Sequence, residues 1–150
     1  MILCKTPTEI ATLKTANQIV ARVLDALKKH VAPGVVTREL DELAEALILK
    51  NGCVPAFKGY RNYPASLCIS VNEEIVHGIP GRRMLYEGDI VSLDIGVKLD
   101  GFYGDAAITV PVGKVSPEAE KLMHVTREAL YQGIGQARPG NRLSDISHAV

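Results

Sequence analysis

Apolar residues return at helical spacing twice in the N-terminal third of the chain. Leu13, Val20, Leu24, Leu27 and Val31 form the first stripe, at the period of an amphipathic helix. The stripe begins behind Thr6-Pro7-Thr8-Glu9. There Thr6 suits an N-cap, Pro7 the first helical position and Glu9 the closing residue of a capping box. Pro33-Gly34 stops the run. A second stripe opens near Thr37, carries Leu40, Leu43, Leu47 and Ile48 on one face and ends at Asn51-Gly52. Two helices joined by a short turn make an αα-hairpin.

The pattern then changes to short apolar runs bounded by turn residues. Leu67-Cys68-Ile69-Ser70-Val71 and Glu74-Ile75-Val76-His77 flank Asn72-Glu73 and predict a hairpin. A turn-rich loop, Gly78-Ile79-Pro80-Gly81, and a Glu87-Gly88-Asp89 turn follow. Residues 90–98 and 102–110 are the clearest strands, joined through Asp100-Gly101, a strong signal for a short hairpin. Ser116-Pro117-Glu118 caps a third helix that runs to about Ala137, with Pro139-Gly140 after it. Leu143-Ser144-Asp145 opens a fourth that reaches Val150. A domain rarely stops inside the first turns of a helix, so the expectation is of a chain truncated at its C-terminus.

Composition narrows the class. The 150 residues have the length of one ordinary domain. Seventeen basic and seventeen acidic residues cancel, which removes the electrostatic argument for nucleic acid or an anionic membrane surface. No apolar run approaches the roughly 18–20 residues of a membrane span. Residues 1–6 lack a basic region followed by an apolar stretch, so no signal peptide is expected. Three cysteines, Cys4, Cys53 and Cys68, are widely spaced without a CxxC. A reducing cytoplasm suits them better than a disulfide framework.

Candidate chemistry starts at the Asp100-Gly101 hairpin. A two-residue loop there puts Asp94 opposite Ala107 and Asp105 opposite Gly96. The two aspartates become diagonal neighbours on one face, roughly 7–8 Å apart at the backbone. Carboxylates that close repel unless a cation or a proton lies between them. A pair of metal ions roughly 3.5–4 Å apart would fit the gap. The competing reading is an amphipathic hairpin with a wet polar face. Ser92, Gly96, Ala107 and Thr109 on that face are small, which suits the floor of a pocket; Val91, Leu93, Ile95 and Val97 on the other read as core.

Two further groups stand out. A turn at Asn72-Glu73 would place Cys68 directly opposite His77, and a thiol beside an imidazole is how a cysteine nucleophile is activated. The sequence offers no third group to orient that imidazole, and free cysteine is commonly a small buried hydrophobe. His77 alone, at a strand end before a loop, is a candidate catalytic group. The segment Phe57-Lys58-Gly59-Tyr60-Arg61-Asn62-Tyr63-Pro64 holds three of the chain's seven aromatic residues, five Tyr and two Phe. It reads either as a surface loop pinned by its rings or as an apolar wall for a substrate side chain. His30, His124 and His148 lie on helical stretches and read as surface or packing residues.

Taken together these residues resemble the type I methionine aminopeptidases. The likeness is carried by Val71-Asn72-Glu73-Glu74-Ile75-Val76-His77-Gly78-Ile79-Pro80, by Phe57-Lys58-Gly59-Tyr60 with Tyr63-Pro64, by Glu87-Gly88-Asp89-Ile90-Val91, and by Asp94 followed by Gly101-Phe102-Tyr103-Gly104-Asp105. It covers essentially the whole chain in order. His77-Gly78-Ile79-Pro80 argues against the related prolidases and creatinases. The resemblance implies an α/β (α+β) pita-bread fold, an antiparallel sheet covered by helices, of which residues 1–150 are mostly the N-terminal half. It implies Asp94 and Asp105 as metal ligands, with Asp105 bridging two divalent ions (Co, Mn, Fe or Zn). It implies His77 as a catalytic residue contacting substrate, and Tyr60, Tyr63, Cys68 and Phe57 as lining the pocket for an N-terminal methionine.

The implied reaction removes the initiator methionine from nascent polypeptides in the cytoplasm, in association with the ribosome. Family members are longer, and their second half supplies a His, two Glu ligands, another active-site His and the acid/base carboxylate. None has a match here, so the expectation is an N-terminal fragment, inactive alone. Two alternatives are a non-catalytic pita-bread peptide-binding module and a cysteine hydrolase using Cys68.

Overall fold

The computed structural model describes residues 3–150; Met1 and Ile2, at the start of the stretch read above for a signal peptide, lie outside the described residues. The chain divides into two compact units, Met1–Lys114 and Val115–Val150. The first holds helices α1 (Pro7–His30) and α2 (Thr37–Lys50) and strands β1 (Val54–Pro55), β2 (Leu67–Val71), β3 (Ile90–Leu99) and β4 (Phe102–Pro111). The capping box expected at α1 forms. Glu9 N–H donates to Thr6 Oγ1 at 3.3 Å, and Thr6 N–H donates to Glu9 Oε2 at 2.7 Å. Lys28, Lys29 and His30 occupy its last turn, where positive charge complements the helix dipole.

β3 organises the sheet. One edge pairs along its whole length with β4; the other is shared between β2, opposite Val91 to Ile95, and β1, opposite Val97 and Lys98. All the pairings are antiparallel. The β3–β4 loop turns through Asp100 at φ 47° and Gly101 at φ 85°, the paired positive angles of a type I′ hairpin. The side chains of Leu67, Ile69 and Val71 with Val91, Leu93, Ile95 and Val97 form the sheet's buried face. That face packs against Ala16, Ile19, Val20, Val23, Leu24 and Leu27 of α1 and Leu40, Ala44 and Ile48 of α2 in one hydrophobic cluster. Each such aliphatic side chain contributes roughly 1.5–3 kcal/mol on full burial. α1 approaches β4 so closely at Gly104 that a Cβ there would lie 2.6 Å from the Ala16 carbonyl carbon.

The hairpin expected between residues 67–71 and 74–77 does not form. β2 pairs with β3 instead. Asn72, at φ 57°, extends that pairing: its N–H donates to the Ile90 carbonyl and its Oδ1 accepts from Ile90 N–H, each at 3.0 Å. The physical reason is burial. Ile75 and Val76, the apolar pair that suggested a strand, are 87% and 63% exposed and bury no face. The segment touches β2 through Ile69 N–H, which donates to Gly78 O at 2.9 Å.

In the second unit, α3 (Pro117–Gln136) is capped by Ser116, whose Oγ accepts from Ala119 N–H at 3.2 Å. α4 (Leu143–Ala149) packs on α3 where Gly133 leaves room; a Cβ there would meet Val150 Cγ2 at 2.8 Å. Among the described residues no helix is long and apolar enough to cross a membrane.

Candidate metal and substrate site

The register of β3 and β4 is the one the hairpin loop predicts. Asp94 lies opposite Ala107, and Asp105 opposite Gly96. Side chains alternate along a strand, so both aspartates stand on the face away from the core. Ser92 and Thr109 share that face and hydrogen-bond to one another at 2.8 Å. Asp94 is half-buried and Asp105 exposed. Burial pushes the Asp94 carboxyl above the usual carboxylate range, the neighbouring Asp105 charge pushes it further, and His77 pulls the other way. Burial also raises Asp105. Ion pairs among the described residues are Lys58–Glu45 at 2.7 Å and Arg83–Glu74 at 2.9 Å, and neither compensates the aspartate pair. Two carboxylates on one face, neither held in an ion pair among the described residues, favour either a shared proton or a bound cation.

Cys68 shares this face as the Cα partner of Asp94, not of His77. It is 5% exposed. Burial pushes its thiol up, against a hydrogen bond with Tyr63 that lowers it. A buried thiol held protonated is a poor nucleophile, and the hairpin that would set Cys68 opposite His77 does not form. His77 is exposed, at φ 61° on the loop after β2, and its charge reaches Asp94. That loop is fixed from both sides. Tyr63 Oη donates to Gly78 O at 2.9 Å or to Leu67 O at 3.1 Å, and Gly78 N–H donates to Ser70 Oγ at 3.1 Å.

The aromatic segment runs from β1 to β2 through a short 3-10 turn at Tyr60–Asn62. Gly59, Arg61 and Asn62 take positive φ, and Gly59 N–H donates to Tyr63 O at 2.8 Å. α2 anchors both ends. Lys58 Nζ donates to Glu45 at 2.7 Å, and Asp41 Oδ1 accepts from Ser66 and Leu67 N–H at 2.9 Å each. Phe57 and Tyr60 line a cavity of about 260 Å³ together with Ala56, Tyr103, Gly104 and Asp105. Tyr63 and Cys68 do not line it; they contact each other beside Asp94. Tyr103, part of the Gly101–Asp105 motif but given no site role by the sequence, sits two residues before Asp105 and therefore on the same face.

Residues 11–150 match the model of metallopeptidase family M24. The chain belongs to this family. It is 55% identical over 150 residues to methionine aminopeptidase 1 of Bacillus subtilis, covering 100% of this chain and 60% of that protein. The crystal structure of methionine aminopeptidase from Thermotoga maritima matches at a TM-score of 0.97 and 43% identity, over 100% of this chain and 61% of that one. The enzyme from Rickettsia prowazekii matches at 0.96 and 38%, over 99% and 60%. The pita-bread fold expected from the sequence is the fold of these neighbours. The chain spans about 60% of the length of the curated relatives it matches.

M24 membership implies divalent metal cofactors. The donor set on the β3–β4 face fits such ions: two carboxylates supply hard oxygen ligands, uncompensated by lysine or arginine. Among the described residues no three His, Cys, Asp or Glu side chains gather into a metal-holding group. The aspartate pair on the β3–β4 face is the candidate donor set.

Proposed function

We propose that the whole protein is a methionine aminopeptidase, removing the initiator methionine from nascent polypeptides in the cytoplasm. In this reading residues 1–150 belong to a single pita-bread domain that contributes two metal ligands, Asp94 and Asp105. The observation that carries it is the uncompensated carboxylate pair set by the β3–β4 register, next to an aromatic cavity whose wall includes Asp105. Relatives named methionine aminopeptidase, at 50–55% identity, support it. Three free cysteines suit a reducing compartment.

Asp94 and Asp105 would hold the ions, two in the complete site and drawn from Co, Mn, Fe or Zn. When bound, such ions polarise the scissile carbonyl and lower the pKa of water. His77 sits on a loop pinned to β2, where it hydrogen-bonds the substrate beside Asp94. Phe57 and Tyr60 wall the methionine side chain; Tyr63 and Cys68, off the cavity wall in this chain, would bound the complete pocket on the Asp94 side. An aromatic and thiol wall suits a long, polarizable thioether. Two aspartates are fewer than the three protein ligands of a typical catalytic zinc site, so the activity belongs to the whole protein.

Cobalt titration of the purified chain, followed by absorption, tests the metal assignment. Asp94→Asn and Asp105→Asn should each weaken binding at least about tenfold; unchanged affinity in both variants would remove the assignment. The chain alone, given manganese or cobalt, should release no methionine from a Met-Ala-Ser peptide. Release would show that the two aspartates and His77 suffice.

A further inference from the structure

Gly96 lies at the centre of the site's floor, opposite Asp105 on β3. Its φ is not positive, so the backbone does not require glycine there, and glycine weakens a strand interior. What the position requires is the absence of a side chain. A Cβ on Gly96 would fall 2.5 Å from Phe57 Cε1, 3.1 Å from Phe57 Cδ1 and 3.1 Å from Ala56 Cβ. The segment is held down at that point, since Ala56 N–H donates to Gly96 O at 2.9 Å. The Phe57 ring therefore lies directly on the bare backbone of β3.

From that seat the ring forms one wall of the cavity of about 260 Å³, with Tyr60, Tyr103 and Asp105 as others. We propose that Gly96 is a positioning residue for side-chain preference: by lacking a Cβ it seats Phe57 deep, and the depth admits a long unbranched side chain next to Asp105. This rests on the aminopeptidase reading and extends it to residues that do not touch the metals. A methyl at position 96 would lift the ring by about 1 Å before carbon contacts reach the usual ~3.5–4.0 Å. The ring would then intrude into the cavity by about the depth of a methylene group. Removing the ring as well would relieve the intrusion, so Gly96 and Phe57 act as a coupled pair.

The test uses the metal-free 150-residue chain and three probes, L-methioninamide, L-leucinamide and L-alaninamide, titrated while the backbone amides of Gly104 and Asp105 are followed by NMR. Wild type should bind methioninamide best. Gly96→Ala should weaken methioninamide about tenfold and leave alaninamide unchanged, and adding Phe57→Ala should restore methioninamide binding. Phe57→Ala alone, which creates no clash, should bind methioninamide more weakly than wild type but as well as the double variant, because Gly96→Ala costs nothing once the ring is gone. Retention of the wild-type preference in Gly96→Ala, or failure of the double variant to recover, overturns the role of Gly96 and leaves the aminopeptidase reading standing. A wild-type chain with no preference among the three probes instead overturns the methionine pocket, and this inference with it. If Gly96→Ala alone fails to fold, a folded double variant that binds methioninamide supports the pairing, and one that does not overturns it.

Discussion

Gly104→Ala tests the packing that sets the position of Asp105. The added Cβ would lie 2.6 Å from the Ala16 carbonyl carbon, 2.8 Å from its oxygen and 2.8 Å from Asn17 N. All three are helix backbone, which cannot rotate aside as a side-chain tip can. Relief requires α1 to move about 1 Å away from β4, since carbon contacts settle at ~3.5–4.0 Å. Overpacking of this kind costs about 1–3 kcal/mol. Against it stands the gain of alanine over glycine within a strand, about 0.5–1 kcal/mol. Because the obstacle is backbone, the upper part of the first range applies and the net loss is about 2 kcal/mol. For a chain of this size that lowers Tm by about 4–8 °C. The shift would also break the hydrogen bond from Asp105 N–H to Asn17 Oδ1, 3.4 Å long. Asn17→Ala should therefore add little to Gly104→Ala, although it lowers stability in the wild-type background. Thermal unfolding followed by circular dichroism reads both effects. A Tm equal to or above that of wild type would show that α1 does not press on β4 as described.

Two further outcomes follow from the site's electrostatics. In the metal-free chain the folded Asp94 and Asp105 hold their protons to higher pH than the unfolded chain does. Their stabilising contribution is thus complete below the unfolded carboxylate value and is lost as pH rises through the raised folded values. Urea midpoints measured from acid to neutral pH should fall more steeply for wild type than for the Asp94→Asn/Asp105→Asn double variant; parallel curves would contradict the raised carboxyls. Cys4 is exposed, whereas Cys53 and Cys68 are buried with thiols pushed up by that burial. Iodoacetamide should label Cys4 first, as mass spectrometry of a time course would report, and early labelling of Cys68 would reopen its case as a nucleophile.

Local signals carried most of the architecture. Thr6-Pro7-Thr8-Glu9 specifies its own helix start, and Asp100-Gly101 specifies both a turn type and, through it, the register that puts Asp94 and Asp105 on one face. Those features involve residues a few positions apart, where chain chemistry acts directly. β2 illustrates the opposite case. Its partner Asp94 lies far along the chain from Cys68, and nothing in either segment's alternation distinguishes that pairing from the nearer one across Asn72-Glu73. The misreading of residues 74–77 followed, and the Cys68–His77 pair with it. Tyr103 was hidden for another reason. Opposite Lys98, whose ammonium lies 5.6 Å from its ring, it reads as ordinary strand surface until the fold brings Phe57 and Tyr60 across from it. The family resemblance is what implies roles for Asp94, Asp105 and His77; strand arithmetic alone leaves a wet hairpin equally open.

The docking of Gly78 on β2 bears on how the site can move. A Cβ at Gly78 would collide with the Ile69 carbonyl, so the loop bearing His77 lies against the edge of β2 with no side chain between. Swinging that loop outward would strip Ile69 N–H of its acceptor and take the Gly78 carbonyl from the Tyr63 hydroxyl, leaving a bare strand edge open to intermolecular pairing. His77 is accordingly mounted on a fixed bracket. The wall that loop forms is set by hydrogen bonds already made within the fold.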